Sequence, residues 1–171
     1  MLNIIETKGN VVFPNTYFPV NSEVPLFIAH GCNAQGIMGG GLALHIKNKY
    51  FDNYKRYQDY CLKSGKSINL LGTNSIQHYH PKFAIVNCIT QHTIGTNTRK
   101  TNYEAVAKCF ENLLDYLKQN YHYTQKVAIA IPKLFGCGLG GGNWNIVLTI
   151  IKETLSISKL NLDLYVVEYA Q

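Results

Sequence analysis

The sequence predicts an α/β fold with a largely parallel sheet that is covered by helices on both faces. Short apolar segments of strand length alternate along the chain with longer segments whose apolar residues recur at helical spacing. Two of the strand segments, 26–29 and 127–131, are apolar throughout, as expected of strands buried on both faces. The chain of 171 residues has the size of one domain, which we predict to span residues 1–171.

Six strands are predicted from apolar or alternating segments that polar or turn-forming residues bound. In chain order they are Leu2–Glu6, Leu26–Ala29, Leu70–His78, Phe83–Thr90, Val127–Ile131 and Leu162–Glu168. His80 and Pro81 predict the turn between the third and fourth strands, and Pro132 closes the fifth.

Four helices are predicted between these strands, at Leu42–Phe51, Tyr54–Leu62, Asn102–Lys118 and Asn143–Leu155. The first two are separated near residues 51–53. The third has the clearest pattern, because one helical face carries Tyr103, Val106, Ala107, Phe110, Leu113, Leu114 and Leu117. In the fourth helix, Val147, Leu148 and Ile151 are expected to face the core.

Composition excludes several classes of protein. No apolar segment is long enough to span a bilayer and the first residues do not form a signal peptide, so no membrane association is expected. The five cysteines are scattered without CxxC pairs, which argues against disulfides and structural zinc and favours the cytoplasm, that of a host cell if the gene is viral. The net charge of +6 suits an anionic partner, but the lysines are dispersed, so nucleic acid is not a favoured partner. A monomer without metal or cofactor is expected.

Two glycine-rich loops fall where parallel sheets bind ligands, beyond the carboxyl ends of strands. They read HGCNAQGIMGGGLA (residues 30–43) and PKLFGCGLGGGNW (132–144), and each precedes a predicted helix. Because glycine has no Cβ, backbone N–H groups at such a helix end can approach a phosphate closely. Neither loop has the Lys-Ser/Thr of a triphosphate-binding loop, so together they predict a nucleotide diphosphate ligand. The GxGxxG at 136–141 does not indicate a dinucleotide-binding fold, since only one helix and one strand follow it.

Five segments, in order along the chain, resemble those of macrodomains: TKGNVV, HGCNAQGIMGGGLA, VNCITQ, RKTNYEAV and PKLFGCGLGGGNW. The chain is most similar to small stand-alone phage and fungal macrodomains described as ADP-ribose 1''-phosphate phosphatases. This resemblance implies a three-layer α/β/α sandwich with a mixed, largely parallel sheet and an ADP-ribose cleft between the two glycine loops.

The resemblance also implies the ligand contacts. Gly9, Asn10 and Val11 are expected beside the adenine, and Asn33 beside the distal ribose. The remaining ligand-binding positions are Gly31, Cys32, Gln35, Met38, Gly39, Gly40, Gly41, Leu42, Gln91, Leu134, Phe135, Gly136, Cys137, Gly138, Leu139, Gly140 and Gly141. Of these, 38–42 are expected to wrap a phosphate and the distal ribose, and the residues from 134 onward to hold the diphosphate.

His30 and Asn33 are the predicted catalytic residues. His30, at the end of a buried strand, is either a general acid or base beside the distal ribose or a hydrogen-bonded support of the first loop. Asn33 would orient a water molecule or the ribose. His92 is a second candidate for the cleft. Cys32 and Cys137 have no evident base partner, so we interpret them as small residues that fit the loops and not as nucleophiles.

Three functions stay open. The leading one is hydrolysis of ADP-ribose 1''-phosphate, and the second is binding of ADP-ribose or a cyclic isomer without turnover, as in a sponge that blocks a defence signal. The third, a glycohydrolase acting on ADP-ribosylated macromolecules, is disfavoured, because Gln91 and Gly140 stand where a related branch has lysine and aspartate. Two further departures are Asn10 and Asn143, each at a position where aspartate is usual. If the latter only caps a helix, asparagine serves nearly as well.

Overall fold

The computed structural model describes residues 1–170 and contains one six-stranded sheet. The strands are β1 (Leu2–Gly9), β2 (Leu26–Asn33), β3 (Asn74–His80), β4 (Phe83–Gln91), β5 (Lys126–Pro132) and β6 (Asn161–Tyr169). The helices are α1 (Gly41–Lys49), α2 (Phe51–Lys63), α3 (Tyr103–Asn120) and α4 (Trp144–Ser156). Single 3-10 turns lie at Pro14–Thr16 and Ile68–Leu70. Gln171, the last residue of the predicted domain, lies outside the described residues.

The sheet has the strand order β1-β6-β5-β2-β4-β3. Every neighbouring pair is parallel except β3 and β4, which form an antiparallel hairpin. The predicted mixed, largely parallel sheet of an α/β protein is therefore confirmed.

Helices cover both faces, as predicted. On one face α3 and α4 bury apolar residues against the sheet, led by Phe110, Leu113, Leu117, Val147 and Ile151. On the other face, α1 and α2 cover two smaller clusters that contain Ile46 and Tyr57. Between residues 1 and 170, no helix is long and apolar enough to cross a membrane.

The central strands separate at the edge where the site was expected. β2 and β5 pair only from Leu26–Ile28 opposite Ala128–Ala130. Beyond that point β2 follows β4 and β5 follows β6, so the two strands diverge toward their carboxyl ends. The first helix after β2 packs on one face of the sheet, and the helix after β5 packs on the other. Such a divergence opens a crevice for a ligand.

The predicted bounds of several elements differ from the structure: β1 ends at Gly9 and not at Glu6, and α2 begins at Phe51 and not at Tyr54. Two strands differ most. The predicted strand 70–78 begins only at Asn74, because Ser67 caps a 3-10 turn at 68–70 by accepting a hydrogen bond from the Asn69 N–H at 3.1 Å. β2 runs four residues beyond its predicted end at Ala29, through the polar segment HGCN. β4 supplies partners for this extension as far as Asn33 opposite Gln91, so pairing with a neighbour overrides the polar composition.

Candidate functional site

A cleft of about 590 Å³ opens between the diverging ends of β2 and β5. Its walls are the loop between β2 and α1 (34–40, the first loop), the loop between β5 and α4 (133–143, the second loop) and residues 94–96. The volume suits a small organic ligand.

A side-chain network fixes the first loop. The Asn33 Oδ1 accepts hydrogen bonds from the N–H groups of Gln35 (3.0 Å) and Ile37 (3.2 Å), and the Asn33 Nδ2 donates to the Ile37 carbonyl (2.8 Å). The buried Tyr57 of α2 donates its hydroxyl hydrogen to the Asn33 carbonyl at 2.5 Å. The amide of Asn33 therefore shapes the loop, and Tyr57 ties that loop to α2.

The glycines of the first loop bring the start of α1 to the cleft. Of the three consecutive glycines 39–41, Gly40 is extended, with φ −157° and ψ 168°, and Gly41 alone has a positive φ, of +55°. The first backbone N–H groups of α1 have no carbonyl partner within the helix, and Gly41, Leu42 and Ala43 border the cleft. Free N–H groups at the positive end of a helix are able to receive an anion.

The second loop is held by the segment that precedes α3. The Thr101 hydroxyl donates to the Gly136 carbonyl at 2.6 Å, and the N–H groups of Lys100 and Thr101 both donate to the Gly140 carbonyl. A Cβ at Gly140 would lie 2.3 Å from the Thr101 Oγ1, so only glycine fits there. Close packing, not a positive φ, requires this glycine.

The cleft carries no negative side chain. Among the described residues that line it there is no aspartate or glutamate, and the only lysine is Lys133. Together with the start of α1, this lining favours an anionic ligand.

His30 lies under the floor of the cleft, 1 % exposed. Its Nε2–H donates to the Asn87 Oδ1 at 2.7 Å, and Asn87 in turn exchanges side-chain hydrogen bonds with Asn53 of α2. Burial lowers the pKa of His30 to about 4, so the ring is neutral at pH 7. Burial also raises the pKa of the neighbouring Cys32 thiol. Of the two roles that the sequence left open for His30, this geometry fits the support of the loop.

The structure brings most of the predicted ligand-binding residues to the cleft. Bordering it are His30, Gly31, Cys32, Asn33, Gly39, Gly40, Gly41, Leu42, Gln91, Leu134, Phe135, Gly136, Gly138, Leu139 and Gly140.

Seven predicted residues do not border the cleft: Gly9, Asn10, Val11, Gln35, Met38, Cys137 and Gly141. Gly9 ends β1 and Asn10 and Val11 follow it. β6 separates β1 from β5, so the expected adenine position lies outside the enclosed volume. Met38 is buried in the core, and the Gln35 Nε2 donates to the His92 carbonyl at 2.9 Å. The ring of His92, the second catalytic candidate, hydrogen-bonds the Lys66 carbonyl instead of facing the cleft.

Sequence reasoning missed Thr101 and Tyr57, which hold the two loops from outside them. An apolar rim is formed by Ile37, Ile94, Leu134 and Leu139, all more than 40 % exposed. Leu134 and Leu139 were predicted as ligand-binding positions, whereas Ile37 and Ile94 were missed. Leu139 reaches across to the first loop, since a Cβ at Gly40 would lie 3.1 Å from its Cδ1. Large apolar residues beside the glycines were the available signal for this rim.

Asn143 caps α4. Its Oδ1 accepts a hydrogen bond from the Ile146 N–H at 3.3 Å, and its own N–H donates to the Tyr103 hydroxyl at 2.9 Å. An asparagine performs this role as well as an aspartate does. The side chain does not border the cleft.

Comparisons with known proteins agree with this fold. Residues 29–151 match the Macro domain family. The chain is 28% identical over 145 residues to a Candida albicans protein named ADP-ribose 1''-phosphate phosphatase, an alignment that covers 83% of this chain and 88% of that one. It is also 28% identical over 141 residues to a Thermosipho africanus DNA ADP-ribosyl transferase–DNA ADP-ribosyl glycohydrolase fusion protein, covering 78% of this chain and 36% of the fusion. The macrodomain of Thermus aquaticus DarG superposes with a TM-score of 0.70 at 24% identity, covering 100% of this chain and 99% of that one.

The fold is that of a macrodomain. The chain belongs to the Macro domain family, as its resemblance to macrodomains implied.

Proposed function

We propose that the cleft binds ADP-ribose or a derivative of it. The observation that carries this proposal is a cleft of about 590 Å³ without carboxylates, walled by two backbone loops and the start of a helix. A diphosphate fits between the start of α1 and residues 134–140, where backbone N–H groups can serve both phosphates. The name of the Candida albicans relative supports a ligand of this class.

We assign the two ends of the ligand from the resemblance to macrodomains, together with the walls of the cleft. The distal ribose lies against residues 39–42 and Gln91, deep between the loops, and the adenine leaves the enclosed volume toward Asn10 and Val11. Asn10 accepts the Val12 N–H at 3.0 Å, which fixes the orientation of its amide.

Hydrolysis of ADP-ribose 1''-phosphate is the second part of the proposal. The name of the Candida albicans relative, which is 28% identical, supports it. Backbone donors of the two loops would stabilise charge on the phosphate. His30 is buried and neutral, so it contributes by holding β2 and not by moving a proton at pH 7. We therefore expect binding to be strong and turnover slow.

One experiment separates binding from turnover. The pure protein is incubated with ADP-ribose 1''-phosphate and, separately, with cyclic ADP-ribose isomers, and released phosphate and retained ligand are measured together. Phosphate release in proportion to enzyme supports the hydrolase, and retention without release supports a binding module. If the protein neither retains any of these ligands nor releases phosphate, the proposed function is overturned.

A further inference from the structure

A second cavity, which we call the edge pocket, lies between the ends of β1 and β6 and the first two turns of α4. Its volume is about 220 Å³. That is smaller than the ~300 to 1,000 Å³ of pockets for drug-sized molecules, so the edge pocket suits a ligand of few heavy atoms. Within the described chain, Lys133 is the only residue that borders both the edge pocket and the cleft.

One part of the edge pocket is apolar. Trp144 and Leu148 lie one turn apart on α4, and both are half-buried against the core cluster between the sheet and α3 and α4. Val166 of β6 faces them from the sheet and is 4 % exposed. An indole and two aliphatic side chains favour an apolar group of the ligand.

Four charged side chains surround this apolar part, and neighbours along the ring differ in sign. In the register of β1 and β6, Glu6 lies opposite Val166 and Lys8 lies opposite Glu168, so these side chains share one face of the sheet. Lys133 follows β5, and its Nζ lies 3.1 Å from the Glu168 Oε2. The edge pocket therefore has two positive and two negative charges.

Two of these charges are available to a ligand. Lys133 and Glu168 neutralise each other, whereas Glu6 and Lys8 form no ion pair within residues 1–170. Residues two apart on a strand are separated by about 7 Å, so the flexible side chains of Glu6 and Lys8 can converge on one ligand. A ligand with a single charge is attracted by one of them and repelled by the other, but a zwitterion is attracted by both.

We propose that the edge pocket binds a small zwitterion with an apolar side chain, namely a free α-amino acid of the size of leucine. The α-ammonium group pairs with Glu6, the α-carboxylate pairs with Lys8, and the aliphatic side chain lies against Trp144 and Leu148. The edge pocket is a separate cavity, so this inference does not depend on the proposed binding of ADP-ribose.

The test uses Trp144 as its reporter. It is the only tryptophan in the sequence, so indole fluorescence reports on the edge pocket. Leucine is titrated into the unmodified protein, and the change in indole emission gives its affinity. Isopentylamine and isocaproate, which keep the aliphatic side chain of leucine but only one of its charges, are titrated in the same way. Calorimetry with ADP-ribose on the same samples measures the cleft separately.

Two variants each remove one charge from the edge pocket, Glu6→Gln and Lys8→Gln. The matched controls are Glu153→Gln and Lys152→Gln, which change exposed residues of α4 outside the pocket. We expect each pocket variant to lose about fivefold in leucine affinity, as for the stronger exposed charge pairs, and each control to bind as the unmodified protein does. The Lys8→Gln variant should also bind isopentylamine more tightly, because the repelling ammonium group is gone. ADP-ribose affinity should stay the same in all five proteins.

The proposal is overturned if leucine changes neither the indole emission nor the calorimetric heat. Equal affinity for leucine and for either single-charge analogue, or equal losses in the pocket variants and their controls, would overturn it as well. Leucine binding without ADP-ribose binding would support the edge pocket and contradict the proposed function of the cleft.

Discussion

At the scale of single residues, His30 illustrates how a position beside a ligand site can serve the fold. Its ring contacts Asn87 and Cys32, with its Nε2 2.7 Å from the Asn87 Oδ1, and Asn87 is hydrogen-bonded in turn to Asn53 of α2. The polar groups form a chain across the layer between the sheet and α2, which holds the strand that ends in the first loop.

The depressed pKa of His30 makes stability depend on pH. The pKa is about 4 in the folded protein and about 6.5 when unfolded, so on acidification the unfolded chain takes up a proton first. The stability that the buried neutral ring contributes is complete above about pH 6.5 and is lost as the pH falls toward 4. Between pH 7 and pH 4.5, we expect the unfolding free energy of the His30→Gln variant to fall by about 2 to 3 kcal/mol less than that of the unmodified protein.

Urea titrations of both proteins at the two pH values measure this difference, and equal losses would show that His30 is not buried as described. The same variant tests catalysis. If His30 moved a proton, any phosphate release would fall by about 100-fold or more at unchanged affinity. We expect release and affinity to change together.

Gly140 gives the second residue-scale prediction. An alanine there would place its Cβ 2.3 Å from the Thr101 Oγ1 and 2.7 Å from the Gly136 carbonyl oxygen, so backbone must shift. We expect Gly140→Ala to lose about 1 to 3 kcal/mol of unfolding free energy. The control is Gly138→Ala, whose Cβ would meet no atom within 4 Å and whose unfolding free energy should stay unchanged. Chemical denaturation measures both, and similar losses would contradict the packing argument.

At the scale of elements, α2 acts on the cleft without bordering it. The Tyr57 hydroxyl lies 2.5 Å from the Asn33 carbonyl and 3.0 Å from the Asn33 Oδ1. Tyr57→Phe removes this donor in a buried place and should cost about 1 to 3 kcal/mol of stability. Because Asn33 shapes the first loop, ADP-ribose affinity should fall as well.

Tyr60→Phe on the same helix is the control, since the Tyr60 hydroxyl makes no side-chain hydrogen bond within residues 1–170. Denaturation and calorimetry on the two variants provide the comparison. Unchanged ADP-ribose affinity in a destabilised Tyr57→Phe protein would show that α2 supports the fold alone.

Elements also show how far the sequence could predict this molecule. The apolar stripe of α3 and the apolar run of β5 depend on local patterns, and both were predicted within two residues at each end. The polar half of β2 depends on pairing with β4, which no local pattern of residues 30–33 reveals.

The candidate site divides in the same way. The position of the glycine loops at the carboxyl ends of strands could be predicted, because a strand and a helix flank each loop in the sequence. The roles of Thr101 and Tyr57 could not, because each acts on a loop far from it along the chain, 35 residues away for Thr101 and Gly136.

At the scale of the whole molecule, the cleft exists because the helices that follow the neighbouring strands β2 and β5 pack on opposite faces of the sheet. The first loop and the start of α1 belong to the β2 side, and the second loop belongs to the β5 side. A ligand that contacts both sides must span the divergence, and binding such a ligand couples the two halves of the molecule.

This coupling predicts which nucleotides stabilise the fold. A ligand that binds only the native state raises the melting temperature, and the rise grows with the ratio of its free concentration to its Kd. ADP-ribose can place its diphosphate between both loops, whereas AMP offers one phosphate and no distal ribose. We therefore expect a clear rise in melting temperature with ADP-ribose and a much smaller one with AMP at equal concentration, measured by differential scanning fluorimetry. ADP is the matched control for the distal ribose, and its shift should fall between the two. Equal shifts for AMP and ADP-ribose would contradict a diphosphate site built from both sides of the cleft.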